Sequence, residues 1–87
     1  MKLNVLTKTL TGEQEAFEFG SKSNRYVVKN FTESAVFVAF DPDSTSTDGS
    51  VKIPAGMGQY VECQGTAPFG TDTVYVTGTG DVEVQQL

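Results

Sequence analysis

The sequence predicts an all-β fold: a single antiparallel β-sandwich or small jelly-roll-like barrel of seven or eight short strands. Three observations carry this. Apolar residues recur with a period of two and never as a convincing helical stripe. Turn-forming residues return roughly every eight to twelve positions, and β-branched and aromatic residues fill the segments between them. A chain of 87 residues closes one hydrophobic core but not two. No linker, repeat or low-complexity tract divides it, so residues 1–87 are expected to form one sandwich domain.

Residues 2–10 (KLNVLTKTL) alternate imperfectly, with Leu3 and Val5 on one side and Asn4, Leu6, Lys8 and Leu10 on the other. Residues 15–19 (EAFEF) set Phe17 and Phe19 together and Glu18 opposite. Residues 25–30 (RYVVKN) and 35–41 (AVFVAFD) are rich in strand formers and are separated by FTES, a spacing that predicts a hairpin. In its second strand Val36, Val38 and Phe40 share one face and Ala35, Phe37 and Ala39 the other. Both faces are apolar, which predicts a central strand or one covered by a neighbouring subunit.

Residues 42–50 (PDSTSTDGS) form a loop on composition. A short strand follows at 50–53 (SVKI), with Val51 and Ile53 inward, and Pro54 ends it for want of an amide hydrogen. Residues 55–58 (AGMG) are expected to reverse the chain into 59–63 (QYVEC), and 64–72 form a second loop. Residues 73–77 (TVYVT) and 81–85 (DVEVQ) alternate cleanly around GTG, which predicts a closing hairpin. Val74, Val76, Val82 and Val84 face inward; Tyr75, Glu83 and Gln85 face outward in a solvent-facing ribbon.

Six Lys and Arg against eleven Asp and Glu give a net charge of −5, which repels a polyphosphate backbone and excludes nucleic acid as the expected partner. No segment is apolar over the roughly 18 residues of a membrane span, and the first residues lack the apolar run of a secretory signal. With no His and Cys63 as the single cysteine, the paired-thiolate zinc patterns and an internal disulfide are excluded. Cys63 also lacks the His that would activate it as a nucleophile, and a structural role is expected.

Asp41-Pro42-Asp43-Ser44-Thr45 matches D-x-D-x-T, the nucleophile motif of phosphoaspartyl phosphatases. That chemistry needs a parallel sheet with crossover helices, and every connection here reads as a turn or polar loop. The aspartates of this loop, Asp41, Asp43 and Asp48, fail the EF-hand pattern: Pro42 lies within it, Ser46 stands at the glycine position and Lys52 at the twelfth, so a solvated acidic loop is expected, with a looser calcium site as the alternative. Gly78-Thr79-Gly80 opens like a dinucleotide fingerprint but leads into an alternating strand. Asn30-Phe31-Thr32 is a glycosylation sequon without a secretory signal. No catalytic, metal or cofactor-binding residue is therefore assigned.

A strand ending in Asn30, the apolar strand at 35–40, the Ile53-Pro54-Ala55-Gly56 turn and the terminal VYVTGTGDVEV stretch occur in an order that resembles small virion-associated structural proteins of tailed bacteriophages. The resemblance covers residues 25–87; residues 1–24 match no such pattern. It implies a non-enzymatic structural component of the particle, such as a head decoration, fibre-base or tail accessory. Such a protein is made in the host cytoplasm, resides in the virion, and associates with copies of itself and with other virion proteins. On this reading residues 35–40 and the edge segment 3–10 are the assembly elements. An alternative is a carbohydrate-binding sandwich, with Tyr60, Phe69 and Tyr75 as stacking residues. The candidate interaction surface is accordingly Phe37, Tyr60, Phe69 and Tyr75.

Overall fold

The computed structural model describes residues 4–63 and 70–87. They form eight strands: β1 (Asn4–Thr11), β2 (Glu15–Ser23), β3 (Arg25–Asn30), β4 (Val36–Ala39), β5 (Val51–Ile53), β6 (Gly58–Glu62), β7 (Thr71–Thr77) and β8 (Thr79–Gln86). Two four-stranded sheets result, in the orders β1-β8-β3-β6 and β2-β7-β4-β5, and every pairing is antiparallel. The sandwich is 18 Å across its thinnest axis, about what two sheets roughly 10 Å apart require with their outer side chains.

The pairings β1·β8, β2·β7, β3·β6 and β4·β5 each sum to nine. The chain is thus one long antiparallel ribbon, reversed at residues 40–50 and wound so that successive strands fall alternately into the two sheets. β3·β8 and β4·β7 join the windings. This is the strand order of an eight-stranded jelly roll.

The expected hairpins are corrected here. β3 and β4 lie in different sheets, as do β5 and β6, and β7 and β8. Only β4 and β5 are both consecutive and paired. In the last case a single residue, Gly78, separates β7 from β8, and the chain crosses from one sheet to the other at the end of the sandwich. Alternation sorts residues between core and solvent but carries no information about which sheet a strand joins. The inward assignments of the last two strands therefore hold: Val74, Val76, Val82 and Val84 are fully buried, although they line two facing sheets and not one ribbon; of the pair expected inward on β5, Ile53 is buried, whereas Val51, on an edge strand, is 38% exposed. β4 is an interior strand of its sheet, as its two apolar faces predict.

The core comprises Leu10, Phe17, Phe19, Tyr26, Val28, Val36, Val38, Ile53, Val61, Val74, Val76, Val82 and Val84, with Leu6 and Phe40 packed against it. β-Branched valines dominate because a thin two-layer core needs short side chains that fit the pleat from both sides. Phe19, Tyr26 and Phe40 fill one end, with ring centroids 5.5 Å and 5.7 Å from Tyr26. At the opposite end a Cβ on Gly78 would stand 2.6 Å from Val36 Cγ1 and 3.5 Å from Leu10 Cδ1, so the crossing is tight enough to require glycine.

Gly78→Ala is expected to destabilise the fold by roughly 1–3 kcal/mol through overpacking. Combined with Val36→Ala, it is expected to cost less than the sum of the two single changes. Urea denaturation of the four members of the cycle measures this, and simple additivity would refute the contact as the cause.

Candidate interaction surface

The two outer faces differ in chemistry. On the β2-β7-β4-β5 sheet, register aligns Ala16, Tyr75 and Ala39 in one row and Thr77, Phe37 and Lys52 in the next. Phe37 and Tyr75 are diagonal neighbours on adjacent strands, and both are half-buried. Ala39 points to this face yet is only 4% exposed beside them. The face thus carries an apolar patch centred on two aromatic residues.

The β1-β8-β3-β6 face is mixed. One row runs Val5, Gln85, Val27 and Tyr60, and the next Thr7, Glu83, Lys29 and Gly58. Lys29 Nζ lies 3.5 Å from Glu83 Oε1. Tyr60, 48% exposed on the last strand of this sheet, donates its hydroxyl to Glu62 Oε2 at 3.0 Å. Desolvation, followed by this bond to the carboxylate and its charge, raises the Tyr60 phenol above its ordinary value.

Of the sequence-predicted interaction residues, Phe37 and Tyr75 are therefore brought together, while Tyr60 stands on the opposite face of the molecule. Phe69 lies outside the described residues. Phe31 and Met57, 60% and 55% exposed, were not anticipated. They occupy the same end of the sandwich, where Met57 O accepts from Asn30 N at 2.8 Å. Each stands alone in a polar loop, without the periodicity that marks a face.

Two polar groups inside the sandwich hold β3 at its ends. Asn30, 1% exposed, donates through Nδ2 to the carbonyls of Ser34, Ile53 and Pro54 at 2.9, 3.0 and 3.1 Å, and its Oδ1 accepts from Thr32 N at 2.8 Å. One side chain thereby ties together the β3–β4 and β5–β6 connections. Its amide nitrogen is the atom that a sequon would offer for glycosylation, and in the folded chain it is already bonded and buried. At the other end Gln86 accepts from Asn4 Nδ2 and Ser21 Oγ, both at 2.9 Å, and donates to Ser21 O and to the Tyr26 hydroxyl. The Tyr26 hydroxyl in turn donates to Thr71 O. Every such buried side-chain atom among the described residues has a partner, as an interior site demands.

Burial raises the Tyr26 phenol above its ordinary 10.0; the Gln86 hydrogen bond opposes this, and the charges of Asp72 and Cys63 add to it.

The β4–β5 loop uses its acidic residues for local turns. Asp41 Oδ1 accepts from Asp43 N at 2.8 Å, and Thr45 and Asp48 exchange backbone hydrogen bonds across the tip. Among the described residues no three acidic or sulfur-bearing side chains converge as metal ligands. Cys63 is a half-buried free thiol. Compared with protein families, with curated proteins and with solved structures, the chain matches none.

Two outcomes follow from the interior polar groups. Asn30→Ala should cost roughly 1–3 kcal/mol, and Asn30→Asp more, because a carboxylate would face three carbonyl oxygens; chemical denaturation ranks them. For Tyr26, the raised pKa means that the folded state favours the neutral phenol. Its contribution is complete below about pH 10 and is lost as pH rises through the folded-state value. The fall in melting temperature at alkaline pH should therefore be shallower in Tyr26→Phe than in the parent chain.

Proposed function

We propose that the chain is a non-enzymatic structural component of a phage particle, a head decoration, fibre-base or tail accessory protein that works through protein–protein assembly. The observation that carries this reading is the patch of Phe37, Tyr75, Ala16 and Ala39 on the outer face of the β2-β7-β4-β5 sheet. A sheet face of a small soluble domain is ordinarily polar on its solvent side. Aromatic residues such as these two are enriched at the centre of association surfaces. The resemblance of residues 25–87 to virion-associated proteins supports the same reading. So does the jelly-roll strand order, which recurs in viral shell proteins, although the fold alone carries no function.

The stacking alternative draws less support. Tyr60 and Tyr75 lie on opposite outer faces and cannot form one sugar platform, whereas Phe37 and Tyr75 form one contact area.

The chain is expected to co-band with phage particles in a density gradient after lysis of the producing host, and to be lost from that band when Tyr75 is replaced by Lys. Retention should fall by at least about tenfold, the loss expected from burying an unpaired charge at an interface, with the melting temperature nearly unchanged. Recovery only in the soluble fraction would overturn the proposal.

A further inference from the structure

Each sheet of a sandwich ends in two strands whose outer backbone groups lack a ladder partner in that sheet, and proteins ordinarily block such edges. Here β1, β2, β5 and β6 are the edges. β1 is the assembly edge that the sequence suggests, but it carries an inward charge. Lys8 Nζ donates to Ala16 O at 2.6 Å and lies 5.4 Å from the Phe17 ring centre, in the gap beside β2 where an added strand would place its own inner side chains. In β2 the pairing breaks register between Glu18 and Ser23. β5 has only three residues. β6 pairs regularly with β3 over five residues, and among the described residues it carries no inward charge or bulge.

The direction of the β6 backbone groups follows from its flanks. Met57 O accepts from Asn30 N, and Cys63 N donates to Asn24 O, each at 2.8 Å. The odd-numbered residues therefore face β3, and Gly58, Tyr60 and Glu62 turn their N–H and C=O groups to the edge, which among the described residues has no further strand. Their side-chain positions lie on the outer face, and all three residues are exposed.

We propose that two copies of this chain join edge to edge through β6, antiparallel about a two-fold axis at Tyr60, merging two four-stranded sheets into one of eight. This register matches Tyr60 with Tyr60 of the second copy and Gly58 with Glu62 of the second copy. All of these are residues with outward backbone groups, so each match exchanges two hydrogen bonds. Charge complementarity favours the same register. Gly58 has no side chain, and a Cβ placed there would stand 3.4 Å from Lys29 Cγ. The Glu62 carboxylate of the second copy thus enters a gap beside the Lys29 ammonium, which among the described residues is paired only with Glu83. Tyr60 continues the row through Val27 across the axis. The inference deepens the assembly reading, and it uses a different surface from the Phe37–Tyr75 patch.

The test is the solution mass of the full chain by sedimentation across a concentration series. The wild type is expected to form a dimer of the 9.3 kDa chain. Tyr60→Pro removes an outward N–H without touching the β3 ladder, and it should stay folded and become monomeric. Glu62→Lys and Lys29→Glu, each alone, should raise the dimer dissociation constant at least about tenfold. Mixing those two variants should restore a heterodimer, because the opposed charges then match; this arm decides the matter even if the proline variant does not fold. A wild-type chain that stays monomeric at its solubility limit overturns the proposal. So does a dimer indifferent to both charge reversals, since it would associate through another face. Loss of the dimer with particle binding intact removes this inference alone; loss of particle binding with the dimer intact removes only the assembly reading.

Discussion

The structure depends on β8. This strand lies between β1 and β3, and among the described residues β1 has no other ladder partner. The register that joins Asn4 to Gln86 closes a loop spanning almost the whole chain, so the entropy of closure falls due before the contacts that offset it. Val82 and Val84 supply part of that offset, since both are wholly removed from water between the sheets. The first strand therefore cannot take its place until the last residues are present. The fold should accordingly be reached in a single cooperative event and not by accretion from the N-terminus.

A ribbon wound in this way needs its register pinned, because a slip of one residue would turn a strand's core valines outward. The pins are polar. Tyr26 with Gln86 at one end of β3, and Asn30 at the other, are inward residues whose hydrogen-bond partners come from four strands and two connections. Slippage would strand each of them without a partner, at a cost of roughly 1–3 kcal/mol per unsatisfied group. Valines supply most of the burial but are interchangeable along the ladder. The amides and the phenol are not, and they make one alignment distinct.

Much of this was legible in the residues. The all-β class and the inward faces of β7 and β8 follow from alternation, which reports burial directly, and the two apolar faces of β4 mark it as an interior strand. Pairing was not legible, because GTG and FTES satisfy the local chemistry of a hairpin turn whether the chain doubles back within a sheet or crosses to the facing one. What decides is that β7 and β8 already have two neighbours each, a property of the whole chain. The same limit applies to the surface. Tyr60, Tyr75 and Phe37 could each be read as outward or two-sided, but the adjacency of Phe37 and Tyr75 needs the β4·β7 contact, which joins segments far apart in sequence. Asn30, Tyr26 and Gln86 sat in phase with buried valines, a signal that a polar residue there must find a partner within the sandwich.

On the proposed assembly reading, the outer patch and the β6 edge act in different ways. An apolar patch such as that around Phe37 and Tyr75 binds without strong orientation, since burial is non-directional. A strand edge binds with orientation fixed by its hydrogen bonds and with little apolar area. On the proposed assembly reading, the patch holds the chain to a surface and the strand edge sets its angle to a second copy. The patch lies on one sheet and the open edge belongs to the other. The long-ribbon winding produces this separation, because it puts the apolar-flanked β4 in the interior of one sheet and leaves the exposed β6 at the border of the other. Occupying either surface leaves the other free.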